Sequence, residues 1–366
     1  MSTSRPSVAA PAESPEGLAH TAATTTAATA APTAATAVTD ASARRAALRR
    51  AVAVLVLVLA AALVPLFGPS AALDGTGEAH APGLGVVTLL RIAMFAALCV
   101  LVGESATAWL ARRVPDAPGD LPRTWALVAA FTGAAAAIGL ALIVANGNLL
   151  PDSFADLRPG RLYQTTDGRL ALLEVNAFVA AGFCAQSRRP GTATIPLAAV
   201  IVAEALRAHP EVGPENNPLI GSALTLVHLT CAALWAGGLL QVLRTMRAWR
   251  SQPTAGAALL GLYARVAALL FAGVTATGIC STLRKLPLDS AFTTAYGRVL
   301  VAKLLLVAVI AVLAVTARLR LRRSPDPYAA VVPARVEVIA LGVVVAVSAL
   351  LTAVPAPIWW DRPLWG

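Results

Sequence analysis

Nine uninterrupted apolar blocks, each near the length needed to cross a bilayer, dominate this 366-residue chain. They are Ala51–Phe67, Val86–Leu110, Thr124–Asn146, Gly168–Cys184, Thr194–Ala208, Leu219–Leu243, Leu259–Leu283, Arg298–Ala317 and Arg335–Pro355. A hydrocarbon core about 30 Å thick takes about 20 apolar residues as helix. A helix is the form that satisfies every backbone amide within the segment itself, as lipid requires. The blocks lack the polar face that a soluble helix keeps towards water. Charged residues make up only 13% of the chain, against about a quarter in a soluble domain. A cytosolic enzyme, a nucleic-acid-binding domain and a secreted disulfide scaffold are excluded on these grounds. The expected fold class is all-α, a polytopic transmembrane helix bundle of about nine spans.

The net charge of +10 does not point to nucleic acid, because the arginines sit in short loops between apolar blocks. They set orientation instead. With the N-terminus inside, the inner loops hold Arg112, Arg113 and Arg123, then Arg188 and Arg189, then Arg244, Arg247 and Arg250, then Arg318, Arg320, Arg322 and Arg323. The outer loops hold only Arg158, Arg161, Arg284 and Lys285 between spans. The fifth block is short and contains Glu204, yet deleting it would move two of the basic clusters outside. The charge pattern therefore predicts N-in, C-out, with Trp359, Trp360 and Trp365 as an outer interfacial anchor.

Residues 1–43, rich in Ala, Thr and Pro, bury too little to offset chain entropy and read as a disordered cytoplasmic tail. Residues 44–208 carry five spans, and residues 209–366 the last four with the aromatic anchor. Arg44, Arg45, Arg49 and Arg50 followed by an apolar block and Pro69-Ser70-Ala71-Ala72 fit a cleaved signal peptide or an uncleaved first span. A basic flank more than 40 residues into the chain favours the uncleaved span. No Walker motif, nucleophile–base pair or open metal triad is legible, so neither an ATP-driven pump nor an enzyme is expected.

Ionisable side chains within spans cost at least about 2.5–3.5 kcal/mol at the helix centre and are functional candidates by default. Arg91, Arg169, Glu174, Asn176, Glu204, His228 and Lys303 fall in the outer half or near the midplane of this topology. Tyr296, Arg298 and His209 lie at the outer boundary, and only Glu104, Arg265 and Glu337 lie inward. That asymmetry predicts a polar cavity open to the extracytoplasmic side. The alternative is a set of ion pairs holding helices together, such as Arg169–Glu174 or Lys303–Glu204.

His228 lies roughly 14 Å below the outer surface of a ~30 Å core. Cys231, Trp235 and Gly238 follow it on one helical face. Imidazole is a common copper and zinc ligand, and a thiol one turn away suits the softer Cu(I). Equally, an intramembrane His can hydrogen-bond a neighbouring helix, and Cys is an ordinary small buried residue. His209 ends the fifth block, so a hairpin returns two imidazoles to the outer side of one helix pair. The four cysteines form no CxxC, which argues against a zinc or disulfide framework, and too few methionines are present for a Met-ladder channel.

The stretch His228-Leu-Thr-Cys-Ala-Ala-Leu-Trp235-Ala-Gly237-Gly238-Leu resembles the His-Leu…Trp-x-Gly-Gly-Leu signature of the CopD family of copper-resistance membrane proteins. Tyr263-Ala-Arg265, Thr277-Gly278, Thr294-Ala-Tyr296-Gly297-Arg298, Lys303, Arg335-Val-Glu337 and Pro355 follow in the family's order. His209 is similar to the family's Gly-His-Ala, with Ala208 in place of the Gly and Pro210 in place of the Ala. The resemblance covers about 209–355 and implies a multi-pass protein of the cytoplasmic membrane that handles copper. A separate CopC-like extracytoplasmic copper-binding protein is the partner it implies, beside membrane lipid. On this basis the expected function is copper transport, as import, contributing to copper homeostasis or resistance. His209, His228 and Cys231 are the candidate metal ligands. Arg169, Glu174, Glu204, Trp235, Tyr296, Arg298 and Lys303 are candidates for lining the cavity or for coupling. Two alternatives stay open: a copper-delivery factor for oxidase assembly, and a haem protein with His209 and His228 as axial ligands.

Overall fold

The structure is a computed structural model that describes residues 34–79, 82–151, 153, 155, 157–187, 190–208, 218–285, 291–323 and 331–354. Every regular element among them is helical: α1 (Ala34–Leu73), α2 (Leu84–Ala111), α3 (Ala126–Ala145), the single turn α4 (Arg161–Gln164), α5 (Thr166–Gln186), α6 (Thr194–Arg207), α7 (Pro218–Ala248), α8 (Pro253–Lys285), α9 (Ala295–Arg323) and α10 (Val331–Ala353). Each of the nine apolar blocks thus coincides with one helix. Eight of these are long and apolar enough to cross a membrane, and the protein is a multi-pass, all-α membrane bundle.

The chain divides into two units, residues 1–51 and 52–366, and α1 contributes to both. α1 begins at Ala34, so residues 34–43 of the segment read as disordered tail are helical. Alanine loses little entropy on entering a helix and lets it extend backwards from the apolar block. The rest of that tail lies outside the described residues, as do His209 and the C-terminal tryptophans.

α2 is the hub of the second unit and packs against α3, α7 and α10. Its contact with α3, and that of α3 with α5, run along small residues. Ala129, Ala130, Gly133, Ala136 and Ala137 are buried, and the ring of Phe178 sits where a Gly133 side chain would be. In lipid, where apolar burial supplies no drive between helices, such small faces allow the close van der Waals contact that does. α2 and α7 run parallel and meet backbone to backbone at Gly103 and Gly237, where an added Cβ on Gly237 would fall 1.7 Å from the Cys99 carbonyl oxygen. The neighbouring Gly238 faces α8 instead, against the Tyr263 ring. The expected role of Gly237 and Gly238 in close helix approach is therefore divided between two partners.

α6 has 14 residues, about 21 Å at 1.5 Å per residue, which falls short of a hydrocarbon core about 30 Å thick. Its partner α5 runs antiparallel to it, and the turn of 3-10 helix Pro190–Ala193 precedes it. Arg207 at its far end reaches Asp167 near the start of α5. The α5–α6 hairpin therefore returns to the end from which α5 set out.

At the end of the bundle that carries the α1–α2 connection, α9 is tied down by backbone and side-chain bonds. Glu78 Oε1 accepts from the Ala295 amide at 3.2 Å, placing a carboxylate at a helix N-terminus where it is favoured. Arg298 donates to the carbonyls of Asp74 and Phe292. At the opposite end, Glu104 of α2 gathers Thr124 (2.7 Å), the Trp125 amide (2.6 Å), Gln241 (3.3 Å) and Arg244 (3.4 Å). These contacts fix α2, α3 and α7 in register.

Candidate functional site

The face of α7 singled out in the sequence is the face that meets α8. Descending α7 while ascending α8 in antiparallel register, His228 meets Thr277, Cys231 meets Gly273, and Gly238 meets Tyr263. Small residues on α8 make room: the His228 ring lies against Gly278, and the Cys231 sulfur occupies the space beside Gly273.

The hydrogen bonds at this crossing hold the imidazole in place. Thr277 has one hydroxyl proton, which it donates to the Gly273 carbonyl at 2.6 Å. Its oxygen is then the acceptor in the 2.9 Å contact with His228 Nδ1. In that arrangement Nδ1 carries the ring proton and Nε2 the lone pair. Lys303 of α9 is half-buried and within electrostatic range of the ring.

Two turns further along α7, Trp235 is buried beside Phe271, with centroids 5.4 Å apart in an edge-to-face arrangement. Its Nε1 donates to Glu337 of α10 at 3.2 Å, and its carbonyl accepts from the Tyr263 hydroxyl at 2.6 Å. A cavity of about 130 Å³ opens beside these groups among α7, α8, α9 and α10, lined mostly by alanine, leucine and aromatic side chains. Trp235 thus ties three helices of the region together. Trp235→Phe, which keeps an aromatic ring but removes the donor to a carboxylate, is expected to cost at least about 1.5–3 kcal/mol, read as a lowered thermal unfolding temperature of the purified protein.

The other polar candidates do not join His228. Glu174 of α5 is fully buried, and its Oε2 accepts from Arg207 Nη1 at 2.8 Å. Arg207 Nε also reaches Asp167 Oδ1 at 2.6 Å, and Glu204 Oε2 pairs with Arg91 Nη1 at 3.5 Å. The pairings suggested by the sequence, Arg169–Glu174 and Lys303–Glu204, are not the ones formed. Arg169 is exposed and turns back to the Thr165 carbonyl at 3.4 Å, while α6 presents Arg207 to Glu174 and Asp167. Tyr296 and Arg298 belong to the packing of α9 against the end of α1 and α10.

The single outer polar cavity expected from the sequence is therefore replaced by two groups on different helices. One comprises His228, Cys231, Thr277 and Lys303 on α7, α8 and α9. The other comprises Arg91, Asp167, Glu174, Glu204 and Arg207 on α2, α5 and α6. No group of three or more His, Cys, Asp or Glu side chains able to hold a metal occurs among the described residues.

Thr277, Arg207 and Asp167 are contributors that sequence reasoning did not place at a site. Arg207 was legible in principle, since it stands one turn after Glu204 on the same helix and both charges needed partners. Thr277 became meaningful only with the α7–α8 register.

No curated protein and no solved structure matches the chain. A protein-family model does: residues 257–351, from the first turns of α8 to the last turn of α10, match the family described as "CopD: Copper resistance protein D". α7, with His228 and Cys231, precedes the matched residues and packs directly on them through α8. The match agrees with the resemblance carried by the motifs from Tyr263 to Glu337, and over those residues this multi-pass membrane protein is similar to copper resistance proteins of the CopD family.

Proposed function

We propose that the protein carries copper inward across the cytoplasmic membrane, through nine crossings with the N-terminus inside, and that His228 is the central ligand. The observation that carries this reading is the Gly273–Thr277–His228 hydrogen-bond chain. A metal-ligating histidine needs one nitrogen held by a second-shell acceptor and the other left with its lone pair. In the tautomer that donates from Nδ1 to Thr277, His228 takes that arrangement and leaves Nε2 basic. Cys231, one turn on, adds a soft donor on the same face. Two donors of this kind suit Cu(I), and a small donor set favours passage over storage.

In this reading copper comes from the extracytoplasmic side, from a separate CopC-like protein or from solution, and meets His209 before His228. Lys303 lies within electrostatic range of the ring, where its charge disfavours prolonged retention of a cation. The family description supports copper as the cargo. The CopD-family region supplies the α8 wall against which His228 is set.

The test is copper binding to the purified, detergent-solubilised protein under reducing and oxidising conditions. Wild type is expected to bind stoichiometrically and His228→Ala to lose that binding with its helix content unchanged. Thr277→Val keeps the ligand but removes the acceptor that orients it, and is expected to weaken binding by about 10–100-fold. Equal binding in wild type and His228→Ala would remove His228 from the path. Copper accumulation in cells, with oxidase activity measured in parallel, separates transport from delivery to an oxidase.

A further inference from the structure

The ionic group on α2, α5 and α6 holds three carboxylates, Asp167, Glu174 and Glu204, against two guanidiniums, Arg91 and Arg207. All lie on helices that cross or line the bundle, and fully ionised they leave one net negative charge. Glu174 and Glu204 have side chains 1% and 7% exposed, whereas Asp167 is 40% exposed. The two buried acids are within electrostatic range of one another.

Each of them uses only one oxygen. Glu174 Oε1 and Glu204 Oε1 are buried with no hydrogen-bond partner, and Arg91 Nε in the same group is likewise unpartnered. A buried carboxylate with an unpaired oxygen is costly, and two buried carboxylates near one another cannot both ionise without a matching cation. Here Arg207 is shared between Glu174 and Asp167, so three acids face two guanidiniums. A proton supplies the missing charge and turns one orphan oxygen from acceptor into donor.

We propose that Glu174 and Glu204 form a proton-binding site that holds one proton on an otherwise unpartnered carboxylate oxygen. Arg207 couples the site electrostatically to the exposed Asp167, since its guanidinium donates to both Asp167 and Glu174. Among the described residues, the surrounding elements bring no other ionisable partner. α3 carries no charged residue, Arg161 of α4 lies against Gly147 instead, and the stretch of α7 before His228 is uncharged. Arg169 is turned outward on α5. The ligand is a proton, and the inference rests on no assumption about copper.

Infrared difference spectroscopy of the full chain in lipid vesicles, titrated with acid and base, tests this directly. A protonated carboxyl gives a carbonyl stretch that an ionised carboxylate lacks. Wild type is expected to show such a band that disappears as pH rises, and both Glu174→Gln and Glu204→Gln are expected to remove it, because the remaining acid then faces two arginines. Asp167→Asn keeps both buried acids and removes one negative charge, so the band's midpoint is expected to move to lower pH. Absence of the band at every pH where wild type stays folded would overturn the proposal, as would a band unchanged in both glutamine variants. If the glutamine variants do not fold, the Asp167→Asn midpoint decides: an unmoved midpoint places the proton elsewhere and overturns the assignment.

Discussion

Gly237→Ala is expected to destabilise the bundle by about 3 kcal/mol, at the top of the usual range for overpacking. The reason is what the new methyl would meet. An added Cβ on Gly237 lies 1.7 Å from the Cys99 carbonyl oxygen and 3.1 Å from the Gly103 amide nitrogen, and an added Cβ on Gly103 lies 2.2 Å from the Gly237 carbonyl carbon. Both sides of the contact are main chain, so no rotamer can relieve it and α2 must part from α7. That separation also stretches the bonds from Glu104 to Gln241 and Arg244. Two neighbouring substitutions calibrate the effect. A methyl on Gly238 meets the Tyr263 ring at 2.8 Å, a side chain that can shift at the expense of its bond to the Trp235 carbonyl. A methyl on Gly261 meets nothing within 4 Å. Thermal unfolding of the three purified variants is expected to rank them Gly237, Gly238, Gly261 in falling severity. A Gly237→Ala protein as stable as Gly261→Ala would show that α2 and α7 do not meet at this point.

The nine helices were legible in the sequence because lipid leaves a chain few choices. A 20-residue apolar run has to satisfy its own amides, and helix does so without reference to any partner. The common face of His228, Cys231 and Gly238 was legible for the same reason, since 3.6-residue periodicity is a local property. Partners were not. Arg91 and Glu204 are separated by 113 residues, and Trp235 and Glu337 by 102. Such pairings depend on the rotation and depth of each helix, which an apolar run does not specify because every face of it is acceptable to lipid. Arg169 shows the consequence. It is five residues from Glu174 in sequence, but a helix turns through about 500° over that distance, which leaves the two on different faces. Arg207, from another helix, takes the acid instead. Thr277 illustrates the opposite case, a residue of no particular chemistry whose role follows entirely from the side chain across the interface.

Arg207→Ala is expected to cost about 3–5 kcal/mol, the range for removing one partner from a buried ion pair. The change leaves Glu174 fully buried without its donor, and deprives Asp167 of a 2.6 Å contact as well. The penalty is that of an uncompensated charge in a medium that solvates it poorly, not the worth of the salt bridge itself. It follows that removing the stranded charge restores much of the loss. Glu174→Gln in the same chain keeps the side-chain volume and abolishes the ionisable group, so the double variant Glu174→Gln, Arg207→Ala is expected to be more stable than Arg207→Ala alone. The measurement is a double-mutant cycle on thermal unfolding and on the amount of protein recovered from the membrane, with a coupling energy of about 1–3 kcal/mol expected for groups in direct contact. Additive losses would mean that Arg207 does not hold Glu174. A rescue as large as the original loss would mean that charge balance between α5 and α6, more than any apolar contact, keeps the short helix α6 in its place.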